Sequence, residues 1–251
     1  MNRYTQTMLD KKSLPFLMDT SSEITRFRAD TFWTKEPETI EWIQRNLTLE
    51  KNIGIFVDVG ANVGIYSLFA AAVNGDIQII GIEPMLINHD ELVRNIKVNG
   101  KECQINPLHA ALSRKSGVAA LLSSDFRVGS SGAQIDLEGS SGGIQVPVYT
   151  GDELLSSDLD RLEKNSQQVM IKIDTDGNEL DVLLGFSKTF DRGLIATVLV
   201  ETHPTNRDGI EEFMRAKDFY ENKSFLEVKG HSDHRRAAKG NSERTKIYSL
   251  N

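Results

Sequence analysis

The sequence predicts an α/β protein built on a doubly wound, mostly parallel β-sheet. From residue 53 onward, short β-branched runs alternate with amphipathic stretches, which is the pattern of strands separated by helices. The runs are apolar, as expected of strands that are covered by helices on both faces. An amphipathic segment before residue 50 adds an N-terminal helical extension, and two apolar segments at 225–228 and 247–250 add a C-terminal antiparallel hairpin. The chain therefore divides into the extension, residues 1–50, and a main domain, residues 51–251.

The extension is predicted to be helical because Ile40, Ile43 and Leu47 recur at helical spacing. It also carries two tryptophans, Trp33 and Trp42. Large aromatic side chains supply much core area, so one interpretation is that they pack the extension onto the main domain. The other is that they line a pocket for an acceptor molecule.

The main domain is predicted to continue as alternating strands and helices. One helix covers residues 65–73, and a second ends at Asn99-Gly100, a pair typical of a left-handed helix stop. A third helix follows the strand at 169–173, with Leu180, Leu183 and Leu184 on its apolar face. Strands are predicted over 53–57, 77–82, 105–112, 169–173 and 195–200.

Three further segments complete the chain. Residues 123–143 are rich in serine and glycine and form either a lid over a functional site or an irregular insertion. A charged helix over 208–221 precedes the hairpin, whose strands are predicted at 225–228 and 247–250. The hairpin loop carries a set of basic residues that is either a solvated tip or a clamp for an anionic acceptor group: His234-Arg235-Arg236, Lys239, Arg244 and Lys246.

Composition narrows the class of protein. The 251 residues carry a net charge of -7, which disfavours a general nucleic-acid binder. Cys103 is the single cysteine, so the chain is not a disulfide scaffold. The first thirty residues show no apolar core of a signal peptide, and the apolar stretch around 65–73 is too short to span a bilayer. We expect a soluble, cytoplasmic protein, while its oligomeric state does not follow from the sequence.

The strongest local signal is a glycine turn over residues 57–64, Val-Asp-Val-Gly-Ala-Asn-Val-Gly, between a strand and a helix. Dinucleotide folds use G-x-G-x-x-G here, but the second and third of those positions are Asn62 and Ile65. Asp58 would repel a phosphate and attract an amino group. The turn therefore favours a zwitterionic, phosphate-free nucleoside over a dinucleotide such as NAD.

A second signal is Glu83, which ends the next strand 25 residues after Asp58. In a βαβ unit this spacing places an acid beside a ribose, where it can accept hydrogen bonds from both hydroxyls. An isolated strand-end acid is otherwise an ordinary solvated residue. Together with the turn, the ribose role is the better interpretation.

Candidate chemistry for an acceptor follows the later strands. Asp174, Asp176 and Glu179 come after the strand at 169–173, where they can bind hydroxyls, contact a cofactor, ligate a divalent cation or cap the next helix. We predict no metal site, since further ligands cannot be placed. His203 follows the strand at 195–200 and can accept a hydroxyl proton near neutral pH, although a lone histidine is often structural.

In these motifs the sequence resembles the FkbM family of S-adenosylmethionine (SAM)-dependent methyltransferases. The resemblance implies a Rossmann-like class I methyltransferase domain over 51–251, SAM as methyl donor, and O-methylation of sugars, glycolipids or natural products. Thr175-Asp176 departs from the Val-Glu that is common in the family. The matching motifs are the turn at 57–64, Gly81-Ile-Glu-Pro84, Ala110-Ala-Leu-Ser113, Val146-Pro-Val148, Asp152-Glu-Leu154, Ile171-Lys-Ile-Asp-Thr-Asp-Gly-Asn-Glu179 and Val200-Glu-Thr-His-Pro204.

The resemblance also implies roles for single residues. The glycine turn would hold the methionine end of SAM, Glu83 its ribose, and the small residues Ala110 and Ala111 its adenine. The predicted cofactor-binding residues are Asp58, Gly60, Ala61, Asn62, Gly64, Glu83, Ala110 and Ala111. The predicted catalytic residues are His203, as general base, Asp174 and Asp176.

Two rival functions stay open at this point. One is a nicotinamide-dependent Rossmann oxidoreductase, which the off-pattern turn disfavours. The other is a SAM-fold module that binds without catalysis. The expected partner is a small-molecule or glycan acceptor, with no nucleic acid and no membrane span.

Overall fold

The computed structural model describes residues 6–9, 15–48, 52–138, 142–228 and 244–250. Of the predicted basic loop, residues 234–239 lie outside these residues, while Arg244 and Lys246 lie inside them, and Lys246 pairs with Glu211 and Glu221. The described strands are Gln6–Leu9 (β1), Phe16–Asp19 (β2), Ile53–Val59 (β3), Gln78–Ile82 (β4), Ile105–Leu108 (β5), Ala111–Leu112 (β6), Gly117–Leu122 (β7), Gln134–Asp136 (β8), Ile144–Tyr149 (β9), Gln168–Ile173 (β10), Ile195–Thr202 (β11), Phe219–Glu221 (β12) and Arg244–Leu250 (β13). The described α-helices are Glu23–Lys35 (α1), Pro37–Thr48 (α2), Ile65–Val73 (α3), Leu86–Val98 (α4), Gly151–Leu154 (α5), Leu159–Lys164 (α6), Glu179–Leu184 (α7), Ser187–Asp191 (α8) and Arg207–Ala216 (α9).

Seven of the described strands form the central sheet, in the order β12-β13-β11-β10-β3-β4-β5. β5, β4, β3, β10 and β11 run parallel, and β13 joins β11 antiparallel. Apolar side chains from alternate positions of β3 and β10 fill one core on each face of this sheet, with Phe56 and Met170 on one side and Val57 and Ile171 on the other. The predicted doubly wound α/β fold is therefore confirmed.

Helices α1 and α2 confirm the helical character of the extension, and the β1–β2 hairpin beside them was not predicted. Both tryptophans pack rather than face a cavity. Trp42 is fully buried and its Nε1 donates a hydrogen bond to Thr197 Oγ1 at 3.0 Å, while Trp33 stacks edge-on against Phe32 and Phe69.

The strand predicted over 105–112 is wrong as a single element. β5 ends at Leu108, whose carbonyl accepts hydrogen bonds from the N–H groups of Ala110 and Glu83. This tight reversal sends β6 into a second sheet, ordered β6-β9-β7-β8. Pro107 is tolerated because β5 is an edge strand of the central sheet.

The C-terminal hairpin exists, but its first strand is β12 rather than 225–228. The helix predicted over 208–221 ends at Ala216, because Asp218 adopts a left-handed conformation at φ 59° that turns the chain into β12. Phe225 lies in a short 3₁₀ turn and is buried in the core. None of the described helices is long and apolar enough to cross a membrane.

Candidate active site

A cavity of about 470 Å³ opens at the carboxyl ends of the parallel strands, where open α/β sheets bind ligands. Eight of the predicted site residues line it: Gly60, Ala61, Asn62, Glu83, Ala110, Ala111, Asp174 and Asp176. Three others, Asp58, Gly64 and His203, are not among the lining residues. The strand-end positions thus bring most of the predicted site together.

The glycine turn has a steric reason at two positions. Gly60 has φ 78°, and a Cβ there would lie 1.9 Å from the carbonyl oxygen of Asp174. Gly64 has φ 87°, and a Cβ there would lie 2.3 Å from Leu92 Cδ1 of α4. Gly60 therefore lets the ends of β3 and β10 approach each other, and Gly64 lets α4 pack against the start of α3.

Glu83 is nearly fully buried and anchored by backbone. Its Oε2 accepts a hydrogen bond from the Asn62 N–H at 2.8 Å, and its Oε1 accepts one from the Met85 N–H at 2.9 Å. Burial raises the pKa of Glu83 to about 7, against the opposing effect of these N–H groups. The Asn88 side chain also hydrogen-bonds to this carboxyl group, and a carboxylate with about four acceptor sites can still accept a hydrogen bond from a ligand hydroxyl.

Asp58 lies behind the cavity wall. Its side chain is fully buried, and Ser67 Oγ donates a hydrogen bond to its Oδ2 at 2.7 Å. Its Oδ1 lies 3.6 Å from Lys172 Nζ. Its carboxylate thus faces a lysine rather than the cavity.

Lys172, on β10, is a cavity-lining residue that the sequence reasoning missed. Its side chain is 2% exposed, and its Nζ lies 3.2 Å from Asp174 Oδ2. The signal that could have found it is a single charge inside the apolar run Val169-Met-Ile-Lys-Ile173. A lysine is almost never buried without a partner, so a lysine in a buried strand predicts that carboxylates lie nearby.

Asp174 and Asp176 both face the cavity but differ in environment. Burial raises the pKa of Asp174, but Lys172, together with Glu201 and Lys35, outweighs that effect and holds the pKa well below its usual range. Burial, and then the charge of Asp174, raise the pKa of Asp176. Asp176 has φ 57° and accepts a hydrogen bond from the Gly132 N–H at 2.8 Å.

Glu179 and His203 lie outside the cavity wall. Glu179 is fully buried and accepts hydrogen bonds from the N–H groups of Thr175 and Gly177, at 3.2 and 2.8 Å. It therefore fixes the loop that carries Asp174 and Asp176. The ring Nε2 of His203 lies 3.9 Å from Glu179 Oε1.

Part of the serine- and glycine-rich segment covers the cavity. The carbonyl of Ser130 accepts hydrogen bonds from Asn62 Nδ2 at 2.7 Å and from Asn88 Nδ2 at 3.1 Å. The Gly132 N–H donates a hydrogen bond to Asp176, so the segment contacts both the glycine turn and the loop after β10. In the part of the chain that the structure describes, no three His, Cys, Asp or Glu residues are grouped as metal ligands.

Comparisons with known proteins address the family and the fold. The model of the methyltransferase FkbM domain matches residues 58–231. Methyltransferase sdnD of Sordaria araneosa is 26% identical over 194 residues, which are 65% of this chain and 72% of that protein. The crystal structure of methyltransferase FkbM from Methylobacillus flagellatus matches 92% of this chain at 14% identity, with a TM-score of 0.55. This chain covers 54% of that solved chain, and the likeness confirms the expected Rossmann-like methyltransferase fold.

Proposed function

The chain belongs to the FkbM methyltransferase family, and from that premise we propose that it transfers a methyl group from SAM to a hydroxyl of a small-molecule or glycan acceptor. The acceptor would be a carbohydrate-containing or other specialised metabolite. The observation that carries the proposal is one cavity that joins Glu83 and the glycine turn to the Lys172–Asp174 pair. A nucleoside end and an acceptor end thereby share one space.

The residues at the nucleoside end fit SAM. The buried carboxylate of Glu83 would accept a hydrogen bond from the ribose, and Ala110 with Ala111 forms a small, apolar wall that suits an adenine ring. The turn at Gly60 and Asn62 would face the methionine part. When bound, SAM supplies a methyl group activated by a positive sulfonium, and the leaving group is a neutral thioether.

The acceptor end favours a neutral hydroxyl compound. Carboxylates there outnumber ammonium groups, which disfavours a phosphate or carboxylate on the acceptor. These groups belong to Glu36, Asp174, Asp176 and Glu201 against Lys35 and Lys172. We assign Asp174 to accept the hydrogen bond of the acceptor hydroxyl, which orients its oxygen and gives its proton a destination. Asp174 takes this role in place of His203 because Asp174 lines the cavity.

Calorimetry with SAM, S-adenosylhomocysteine and NAD tests the cofactor. We expect saturable binding of the first two and none of NAD, because the turn departs from the dinucleotide pattern. A screen of neutral glycosides, polyols and phenols for formation of S-adenosylhomocysteine then tests turnover. NAD binding without SAM binding would support the oxidoreductase. SAM binding with no turnover on any hydroxyl acceptor would favour the binding module.

Replacing Glu83 by glutamine is expected to weaken SAM binding by about 1 to 3 kcal/mol, the scale of hydrogen bonds to a charged group. In the unmodified protein, SAM affinity should fall as pH drops through about 7, because protonation removes the acceptor that the ribose needs. The contribution of Glu83 to folding stability has the opposite pH dependence. A raised carboxyl pKa gives a contribution present below about 4.3 and lost as pH rises through about 7.

Glu91→Gln is the matched control for this experiment. Glu91 is also buried, and burial raises its pKa to about 7, but it is not a cavity-lining residue. Its variant should keep both the SAM affinity and its pH dependence. Unchanged SAM affinity in a folded Glu83→Gln protein would disprove the ribose role.

A further inference from the structure

A buried lysine stands at the acceptor end of the cavity with carboxylates on two sides. Lys172 occupies the middle of the central sheet, where β10 pairs with β3 and its register partner is Asp58. Its Nζ lies 3.2 Å from Asp174 Oδ2 and 3.6 Å from Asp58 Oδ1. The three side chains form a chain of alternating charge that runs from the sheet interior to the cavity.

The inner end of this chain is fixed. Ser67 on α3 holds the second oxygen of Asp58, and the Lys172 ammonium lies 5.1 Å from the centre of the Tyr66 ring. Tyr66 is held in turn, since its hydroxyl donates a hydrogen bond to Glu36 Oε2 at 2.8 Å. The outer end differs, because the Asp174 side chain is about one third exposed and lines the cavity.

The carboxylates around Lys172 keep it protonated, so it does not act as a general base. Burial lowers the pKa of Lys172, but Asp174 and Asp58 outweigh burial and raise it. The lysine therefore stays protonated, and any effect on an acceptor passes through its neighbour. Asp58 lacks contact with the cavity, so its effect passes through Lys172.

We propose that Lys172 is a positioning residue whose ammonium, fixed from behind by Asp58, holds the Asp174 carboxylate ionised and aimed at the acceptor hydroxyl. The inference rests on the proposed methyl transfer to a hydroxyl. It gives Asp58 a role in the acceptor end, in place of the predicted contact with the amino group of SAM. A fixed carboxylate keeps the acceptor oxygen in line with the methyl group without a reorganisation cost at each turnover.

Several titratable and charged groups face the Lys172–Asp174 pair from the surrounding elements. Asp58 faces it from β3, Tyr66 from α3 and Glu201 from β11, while Lys35 and Glu36 face it from the end of α1 and the residue that follows. On its own loop, Asp176 interacts with Asp174. Apart from Asp58, which the test replaces together with Lys172, these groups stay in place, so a shift in the titration of Asp174 reports on the Asp58–Lys172 pair.

The test follows the ¹³C carboxyl resonance of Asp174 against pH, assigned by comparison with Asp174→Asn. In the unmodified protein, Asp174 should titrate well below about 3.9, the usual aspartate value. Asp58→Asn combined with Lys172→Met removes both inner charges, so no buried charge of that pair is left without its partner. In this variant the midpoint should rise by about 1 to 3 pH units. Lys246→Met, which removes a partly buried lysine between Glu211 and Glu221, should leave it unchanged.

A midpoint in the double variant within about 0.3 units of the unmodified protein would overturn the proposal. So would an unmodified protein whose Asp174 titrates at about 3.9 or above, a measurement that needs no variant to fold. With an acceptor that turns over, the acidic limb of kcat should move to higher pH in the double variant while SAM affinity stays within about twofold. Absence of turnover in the unmodified enzyme would count against the proposed function, whereas the carboxyl titration still decides the role of Lys172.

Discussion

Replacing Gly60 by alanine is expected to destabilise the protein by about 3 kcal/mol or more and to abolish SAM binding. Gly60 has φ 78°, a conformation that costs an alanine roughly 1 to 2 kcal/mol. Its added Cβ would also stand 1.9 Å from the Asp174 carbonyl oxygen, which belongs to backbone and must move. The movement would separate the ends of β3 and β10 and displace Asp174 from the cavity wall.

Gly100→Ala separates the two causes. Gly100 also has a positive φ, at 62°, but a Cβ there would meet nothing within 4 Å. Gly100→Ala should lose only the conformational cost of about 1 to 2 kcal/mol and keep its SAM affinity. Denaturant unfolding gives both free energies, and calorimetry gives SAM affinity. Equal losses in the two variants would show that the approach of the strands at Gly60 is not tight.

Local sequence signals predicted the strands and the turn that build the nucleoside end. The apolar run of β3, the turn at Gly60 and the strand-end acid Glu83 are set by short-range patterns, and the structure brings them to one cavity. The prediction of one strand over 105–112 was wrong because a backbone reversal at Leu108, rather than a change in hydrophobicity, ends β5. The strand predicted over 225–228 was wrong for a related reason. Phe225 is a buried aromatic residue in a 3₁₀ turn, and its apolar side chain gives the same sequence signal as a strand residue.

The acceptor end was harder to predict because its contacts are distant in sequence. Lys172 meets Asp58 across neighbouring strands, and no periodicity marks that pairing. His203 follows β11 as predicted, but the strand ends at Thr202 and the carbonyl of His203 accepts hydrogen bonds from Asn206 and Arg207. This turn places the residue beside Glu179, whereas Glu201, still in the strand, lines the cavity.

Asp174→Asn and His203→Ala should differ in turnover of an acceptor identified by the screen. Asp174→Asn is expected to lower kcat by about 10² to 10⁴-fold, the usual effect of losing a positioned proton acceptor. His203→Ala should lower it by less than about tenfold, because His203 does not line the cavity. SAM affinity, measured by calorimetry, should stay close to that of the unmodified enzyme in both.

The pH profile of kcat at saturating SAM distinguishes the two residues independently. If ionised Asp174 receives the hydroxyl proton, turnover should hold down to low pH, because Lys172 keeps the pKa of Asp174 below its usual range. A histidine base would instead give an acidic limb near about 6.5, the value of an ordinary imidazole. A limb near that pH that disappears in His203→Ala, together with a fall in kcat of about a hundredfold or more, would return the proton acceptor to His203. Asp174 would then serve only to orient the acceptor oxygen.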